Sequence, residues 1–533
     1  MGPRGSYRNP VLRGFFPDPS ATRVGEDFYL ANSSFQYFPA VPISRSRDLV
    51  HWEIVGHAVS EGSYLDLSEL ADSHGIWAPD LSFHDGLFHL YATLRLNNPP
   101  EGIPGGPGTA WPLRRQLYTC AERPEGPWSR PVFLEVDNID PSLFVDGEGS
   151  RWMAIAPGLT LVPLTSDGKA VAGEAFQAWA GTGRPCAEGP RLLLKDGWYY
   201  AFLAEGGTGF GHCVTVARSR KLAGPYEECP HNPILTQAEP SAPLQRCGHG
   251  SPIQTPAGDW WMLYLCGRPN GGPWTTLGRE TALDPMRWTE EGWPAVNEGR
   301  GPSEIQAAPN LPSASPARRP GNGPWRDDFE APRLRLEWEF ARNPDPSSWS
   351  LSERPGFFRI LTGPGGLDSI GAKNTLLRRE TEHRYTASLR LEFDPPEGGG
   401  EAGLACYYGL RNHVSLALLR ERGLRLRLAE NRNGRKRVLG ELPLDDPGGR
   451  AAVELRVEVE GQARRFLARE LSDQGGWRTV GTVADSSFLS DEGVAEGKHH
   501  TGTMVGLFAN AQGTPARSAA DFDCFEYEGR DRP

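Results

Sequence analysis

The sequence predicts an all-β chain, a five-bladed β-propeller followed by a β-sandwich. Three observations carry that expectation. One short pattern recurs five times between Asp18 and Leu265. Alternating apolar and polar stretches without that period follow Trp325. The chain of 533 residues holds 64 Gly and 48 Pro and shows no long helical periodicity, which fits many short strands joined by turns.

Each copy of the pattern opens on an acid or a histidine and runs into a hydrophobic strand. It then turns at Asp or Gly and ends in a second strand rich in aromatics. The copies read DPSATRVGEDFYLA from Asp18, DLSFHDGLFHLYAT from Asp80, DPSLFVDGEGSRWMAIA from Asp140, EGPRLLLKDGWYYAFLA from Glu188 and HGSPIQTPAGDWWMLYL from His249. Their lead residues lie 62, 60, 48 and 61 positions apart. A period of this size with two visible strands per unit suggests propeller blades of about four strands each. Equivalent points on the blades converge on the central axis, so four carboxylates and one histidine should meet in one pocket. The repeats end shortly after Leu277–Pro294, which assigns residues 1–300 to the propeller. Residues 301–324 are dense in Pro, Gly, Ser and Ala with little to bury, and read as a linker.

Beyond it, residues 325–530 carry stretches at 385–393, 413–421, 423–430 and 451–461 that alternate as half-buried antiparallel strands do. Asn433-Gly434 between two such runs is a hairpin signal. The basic run from Arg422 to Arg437 is expected to be the solvated face of that hairpin. A region of this size without the propeller period is expected to form a sandwich.

A formal charge of −11 disfavours a nucleic-acid partner. No apolar run is long enough to span a membrane. A neutral sugar would be indifferent to the charge. The eight cysteines form no CxxC pair, so reduced thiols are expected in place of zinc or a disulfide framework. MGPRGSYRNPVLRGF has no apolar h-region, which makes a cytoplasmic enzyme the expectation.

Four acids at equivalent blade positions suit the cleavage of a glycosidic bond. That reaction needs one protonated carboxyl to donate to the leaving oxygen and a second carboxylate to activate water or attack the sugar. A third charge nearby separates their pKa values. An Asp before Pro-Ser or Leu-Ser also caps turns. Four acids in register weigh towards chemistry, and an acid next to Pro at a strand mouth is held stiffly.

FFPDPS (15–20), GIWAPDLS (75–82), DPSLF (140–144), CAEGPRL (186–192), AEGGTG (204–209), CGHGSP (247–252) and LGRET (277–281) occur in order at blade spacing. Together they resemble the glycoside hydrolase family 43 enzymes. The chain looks most like their β-xylosidase branch, which also carries a C-terminal β-sandwich of concanavalin or jelly-roll type. The resemblance implies that Asp18 is the general base, Glu188 the general acid, and Asp140 the third acid that orients Glu188 and raises its pKa. It implies inversion of configuration. Asp80 is left a structural or pocket-lining role. Phe35 and Trp77 match aromatics that wall the terminal-sugar subsite, with ordinary packing as the alternative for each. Arg279 matches an arginine that bonds the sugar hydroxyls near the base, with a buried structural Arg as the alternative. His249 matches the axial histidine, beside which some relatives carry a metal ion, often through water. No cofactor is required for the chemistry. DDFE (327–330) and ADFDCFEYEG (520–529) could hold a structural calcium ion (Ca2+) or simply pair as first and last strands.

Two departures from the family touch substrate preference. The stretch after the third acid, MAIAPGLTLVPLTSDG (153–168), has no Trp and belongs to the short 48-residue spacing. His499 and His500 stand before Thr501-Gly502 where relatives have an aromatic pair at the pocket mouth. The expected activity is exo-cleavage of terminal β-D-xylosyl residues from xylo-oligosaccharides, with α-L-arabinofuranosidase activity a close second that can coexist. A retaining β-fructosidase is disfavoured by Pro17-Asp18-Pro19 and Glu188-Gly189, and a non-catalytic carbohydrate-binding propeller by the four registered acids. The expected partner is a small oligosaccharide, with no nucleic acid and no membrane. Relatives of this kind often form homo-oligomers.

Overall fold

The computed structural model describes all residues except 1–4, 98–112, 313–324, 373, 446–447, 449, 472–475, 496–499, 514–516 and 531–533. Among the described residues the only helical pieces are two three-residue 3₁₀ turns, Asn297–Gly299 and Pro346–Ser348. The rest is strand and loop, as the Gly and Pro content requires.

Five antiparallel meanders form the blades. Their innermost strands are Ser20–Val24, Gly75–His84, Ser142–Val145, Glu188–Lys195 and Gln245–Gln254. Each blade has four strand positions, the outermost of the fourth being split between Glu227–Glu228 and Leu235–Thr236. The third blade meets its shorter spacing with strands of only four or five residues.

Hydrogen bonds join four of the five neighbouring pairs of inner strands. Ser20 Oγ donates to Asp80 at 3.1 Å, joining blades 1 and 2. The Leu143 N–H donates to Asp80 at 2.9 Å, joining 2 and 3. Ser142 Oγ donates to the Pro190 carbonyl at 2.5 Å, joining 3 and 4. Blade 5 returns to blade 1 where the Ala21 N–H donates to Ser251 Oγ at 3.1 Å.

The stretch read as a linker carries a strand of its own. Ile305–Ala307 pairs antiparallel with Ser6–Arg8, and Asn9 N–H donates to the Glu304 carbonyl at 2.8 Å. Composition reports how little a segment can bury. It cannot report a pairing partner some 300 residues away in sequence.

Residues 325–530 form two packed sheets of eight and seven strands. The alternating stretches become Arg384–Phe393, Asn412–Arg420, Leu424–Arg432 and Ala451–Glu460. In the last, every second side chain is buried, and Val453, Leu455 and Val457 join Leu404, Leu416 and Leu507 in the core between the sheets. Asn433 (φ 53°) and Gly434 (φ 80°) form the tight turn of the hairpin that the basic run occupies. The terminal acids sit in strand pairing, since Trp325–Asp327 aligns with Phe525–Tyr527. Asp521 is met by Arg354, Arg359 and Arg450, and Asp327 accepts from Trp338 Nε1 at 2.8 Å.

The sandwich packs on the mouth of the propeller. Phe15, Phe35 and Tyr37 share one apolar cluster with Leu377, Tyr407, Met504 and Phe508. Arg342 donates to the Leu70 carbonyl at 2.6 Å and pairs with Asp72 at 2.9 Å. Thr501-Gly502 lies backbone to backbone against Leu277-Gly278, where a Cβ on Gly502 would meet the Leu277 oxygen at 2.5 Å. The side of the pocket is therefore also the seam between the domains.

Candidate active site

Asp18 precedes the first inner strand and is buried. Arg279 Nη1 donates to its Oδ1 at 2.8 Å, Ser33 Oγ donates to its Oδ2 at 2.6 Å, and His249 Nδ1 lies 3.4 Å from Oδ1. Burial alone would raise the pKa of this carboxyl. Arg279, His249 and Ser33 together outweigh it and hold Asp18 well below the ordinary carboxylate range. The ring of His249 shows the reciprocal effect. Burial favours its neutral form, but Asp18 and then Asp140 hold its proton more tightly than usual.

Asp140 and Glu188 occupy the next part of the floor. Asp140 is buried, and the Gly189 N–H donates to its Oδ2 at 2.9 Å. Burial and the charge of Asp18 raise its pKa to about 6, against the pull of His249. Glu188 opens the fourth inner strand and is partly buried. Burial first, and then the Asp140 carboxylate, push it up to about 8. Of the two, Glu188 is the member that keeps a proton at neutral pH. Gly189 has φ 59°, and a Cβ there would stand 2.9 Å from His249 Nε2, so the fourth and fifth blades touch at a point that admits only glycine.

The backbone at the lead residues is as unusual as their side chains. Asp18, Asp140 and His249 have φ of 52°, 62° and 50°, a region that L-residues other than Asn and Asp seldom enter. The pairing register also shifts between Trp77 and Asp80, between Glu188 and Arg191, and between Gln245 and Ser251. Such bulges re-aim side chains that a regular strand would send to alternate faces.

Asp80 does a different job from the other acids. Its carboxylate accepts from Ser20 Oγ, from the Leu143 N–H and from Arg191 Nη1 at 2.7 Å, tying blades 1, 3 and 4 to its own. Phe35 is almost fully buried, 5.6 Å from Phe15 and 6.1 Å from Trp77 between ring centroids. Trp77 is half-buried and anchored by Nε1 to the Ser73 carbonyl at 2.7 Å. Arg279 lies over the Phe35 ring at 5.6 Å. His499 lies outside the described residues. His500 reaches the site with its backbone, its carbonyl accepting from Arg279 Nε at 3.3 Å and Nη2 at 3.2 Å. Its imidazole is partly exposed, with Nδ1 3.6 Å from Asp491 Oδ2.

Sequence reasoning passed over two residues. Ser33 stands two positions before Phe35 in SSFQYF, and only the aromatic was singled out. Glu205, in AEGGTG, is fully buried and accepts from the Thr182 N–H at 3.0 Å, Thr182 Oγ1 at 2.8 Å and Thr215 Oγ1 at 2.6 Å. It anchors the loop that leads to Glu188. Its place in the repeat, directly after the aromatic strand of the fourth copy, was the available signal.

Among the described residues no three His, Cys, Asp or Glu side chains are grouped to coordinate a metal. The eight cysteines are all free thiols, five of them buried. A groove of about 490 Å³ on the sandwich, lined by Asp368, His413 and Lys436 among others, contains none of the acids described above.

A propeller that brings one carboxyl favoured in its ionised form together with one favoured in its protonated form and a third acid has the groups that acid/base cleavage of a glycosidic bond needs. The model of the glycosyl hydrolases family 43 matches residues 7–294, and that of the beta-xylosidase C-terminal concanavalin A-like domain matches residues 326–528. The crystal structure of the GH43 BlXynB protein from Bacillus licheniformis superposes with a TM-score of 0.93 at 50% identity, covering 99% of this chain and 100% of that one. A xylan 1,3-beta-xylosidase of a Vibrio species is 36% identical, over 98% of this chain and 99% of the relative. A non-reducing end α-L-arabinofuranosidase of Bacteroides ovatus is 34% identical, over 98% and 94%. The chain belongs to glycoside hydrolase family 43.

Proposed function

We propose that this enzyme releases terminal β-D-xylosyl residues from the non-reducing ends of β-1,4-xylo-oligosaccharides with inversion, and that terminal α-L-arabinofuranosyl residues enter the same pocket. The observation that carries the reading is the divergence of two carboxyls on one axis. Asp18 is held ionised by Arg279, and Glu188 is held protonated, near 8, by burial and Asp140.

In this reading a water gives its proton to Asp18 as its oxygen bonds to the anomeric carbon. The glycosidic bond breaks on the opposite side, and Glu188 delivers its proton to the departing oxygen. One water is consumed and the new hydroxyl has inverted configuration. Asp140 holds Glu188 by charge and by its bond to the next peptide, that of Gly189. Trp77 and Phe35 supply apolar surface to the sugar ring. The names of the relatives, xylosidase in one and arabinofuranosidase in the other, support a pocket open to both sugars.

The test is hydrolysis of an aryl β-D-xyloside and an aryl α-L-arabinofuranoside, with 1,3- and 1,4-linked xylobiose alongside and the first-formed anomer read by proton NMR. Release of α-xylose from the β-xyloside supports the proposal. β-Xylose as the first product, or turnover of neither glycoside, would sink it. Glu188→Gln should lose most on xylobiose and least on the activated aryl glycoside, which needs no proton. Equal losses would remove Glu188 as the acid.

A further inference from the structure

Arg246 and Asp491 form an ion pair across the domain seam at 2.7 Å, and both are buried. Neither belongs to the acid/base set. Arg246 lies on the fifth inner strand, three residues before His249, and its Nε also donates to the Thr208 carbonyl at 2.9 Å. Asp491 belongs to the sandwich. Its Oδ2 takes Arg246, while its Oδ1 accepts from Tyr408 Oη and, at 2.6 Å, from the His500 N–H. His500 is held at φ 56°, and its carbonyl, which belongs to the following peptide unit, turns to Arg279, accepting from Nε and Nη2. The remaining arm, Nη1, donates to Asp18.

A path of contacts therefore runs from a sandwich carboxylate, through the backbone of His500 and the Arg279 guanidinium, to Asp18. The guanidinium is a planar fork whose donors cannot be re-aimed one at a time. Two of them fixed on the His500 carbonyl leave Nη1 only one direction. Were that carbonyl to rotate away, the fork would turn with it, and Thr208 Oγ1, at 3.4 Å, is the nearest alternative acceptor for Nη1.

We propose that Asp491 is a positioning residue for Asp18. By fixing the His500 peptide it locks Arg279 in the orientation that pairs with Asp18, so the sandwich completes the catalytic machinery as well as covering it. This rests on Asp18 being the base. The charged and titratable groups that face Asp18 are Arg279, His249 and, further off, Asp140, Glu188 and His212, and of these Arg279 is the one bonded to the sandwich. Asp491 itself is faced by Arg246 and by the His500 ring, whose Nδ1 lies 3.6 Å from Oδ2. Glu492 supplies an internal control. It binds the same Arg246 and the Thr275 N–H, at 3.2 and 2.9 Å, from the next position in the chain, but does not hold the His500 peptide.

The experiment compares Asp491→Ala and Glu492→Gln by thermal melting and by kcat/KM against pH on the aryl glycoside that is turned over. Both should melt below the parent. Asp491→Ala removes the acceptor of the His500 N–H, so it should lose tenfold or more in kcat, and the acidic limb of its profile should move to higher pH, because Asp18 is no longer held ionised. Glu492→Gln should leave that limb in place. An unmoved limb in Asp491→Ala, or an equal movement in Glu492→Gln, overturns the proposal. Should Asp491→Ala fail to fold, Tyr408→Phe removes one donor from the same oxygen and should move the limb in the same direction by less. An unmoved limb there counts against it equally. Asp18→Asn distinguishes the base assignment from the positioning role. If it retains turnover, the base assignment falls and takes the positioning role with it. If it is inactive while Asp491→Ala keeps the parental limb, only the positioning role falls.

Discussion

Ser33 Oγ stands 2.6 Å from Asp18 Oδ2 and 2.6 Å from the Ala78 N–H. The peptide occupies the acceptor side of the hydroxyl, so its one proton is directed to the carboxylate. A neighbouring blade thus decides which way the hydroxyl points, and that direction favours ionised Asp18.

Ser33→Ala removes this donor and leaves the Ala78 N–H buried without its partner. A hydrogen bond to a charged group contributes about 1.5–3 kcal/mol, and tenfold in rate is about 1.4 kcal/mol. The expected loss in kcat/KM is about one to two orders of magnitude, with the acidic limb moved to higher pH. Ser33→Thr keeps the hydroxyl and should recover most of the activity. A profile in which Ala and Thr lose equally would show that size at position 33 matters and the proton does not.

Asp140→Asn takes the second-largest cause of the raised Glu188 pKa away and leaves burial in place. Glu188 should then release its proton at lower pH. The descending alkaline limb of kcat/KM, set in the parent by a group near 8, should shift towards neutrality. The shift is read on xylobiose, where protonation of the leaving group limits the rate. An alkaline limb that stays in place would mean that Asp140 does not act on Glu188 through its charge.

Much of this site was legible in the sequence because it is periodic. Asp18, Asp140, Glu188 and His249 announce themselves by recurring at the same point of each repeat, and the geometry of a propeller turns that recurrence into convergence. The sandwich strands were legible because one face of each is buried, which imposes a period of two. What stayed hidden has no local pattern. Ser33 acts through a hydroxyl proton whose direction is set by a peptide 45 residues away. Arg246 and Asp491 meet across 245 residues. His500 acts through a carbonyl, which every residue possesses, so no side-chain reading could have selected it. The positive φ at Asp18, Asp140 and His249 is likewise a backbone property that non-glycine residues do not advertise.

Asp80 shows the converse, an acid in register that the structure employs as a fastener. Asp80→Ala would leave Arg191 and the Leu143 N–H facing an empty volume where four blades meet. Removing one partner of a buried ion pair costs about 3–5 kcal/mol, which for a domain of this size corresponds to a fall in Tm of roughly 10 °C. Below its Tm the variant should keep kcat within a few fold of the parent. A stable Asp80→Ala protein with abolished turnover would instead place Asp80 in the chemistry.

Glu188 leaves a thermodynamic trace that can be read without any substrate. Its pKa rises from 4.5 to about 8 on folding. Between those values the folded protein binds a proton that the unfolded chain has released, so stability must fall as pH rises through that window. Above it the full cost of a buried carboxylate beside Asp140 is borne by the native state. Glu188→Gln cannot deprotonate and lacks this slope. The Asp140 contribution, of the same sign, remains in both proteins. The variant should therefore melt with the parent near pH 4 and above it by pH 8.5, by roughly 2–4 °C for each kcal/mol recovered. Identical melting curves at both pH values would show that Glu188 is not held protonated by the fold. The acid of this site would then have to acquire its proton only when substrate closes the pocket.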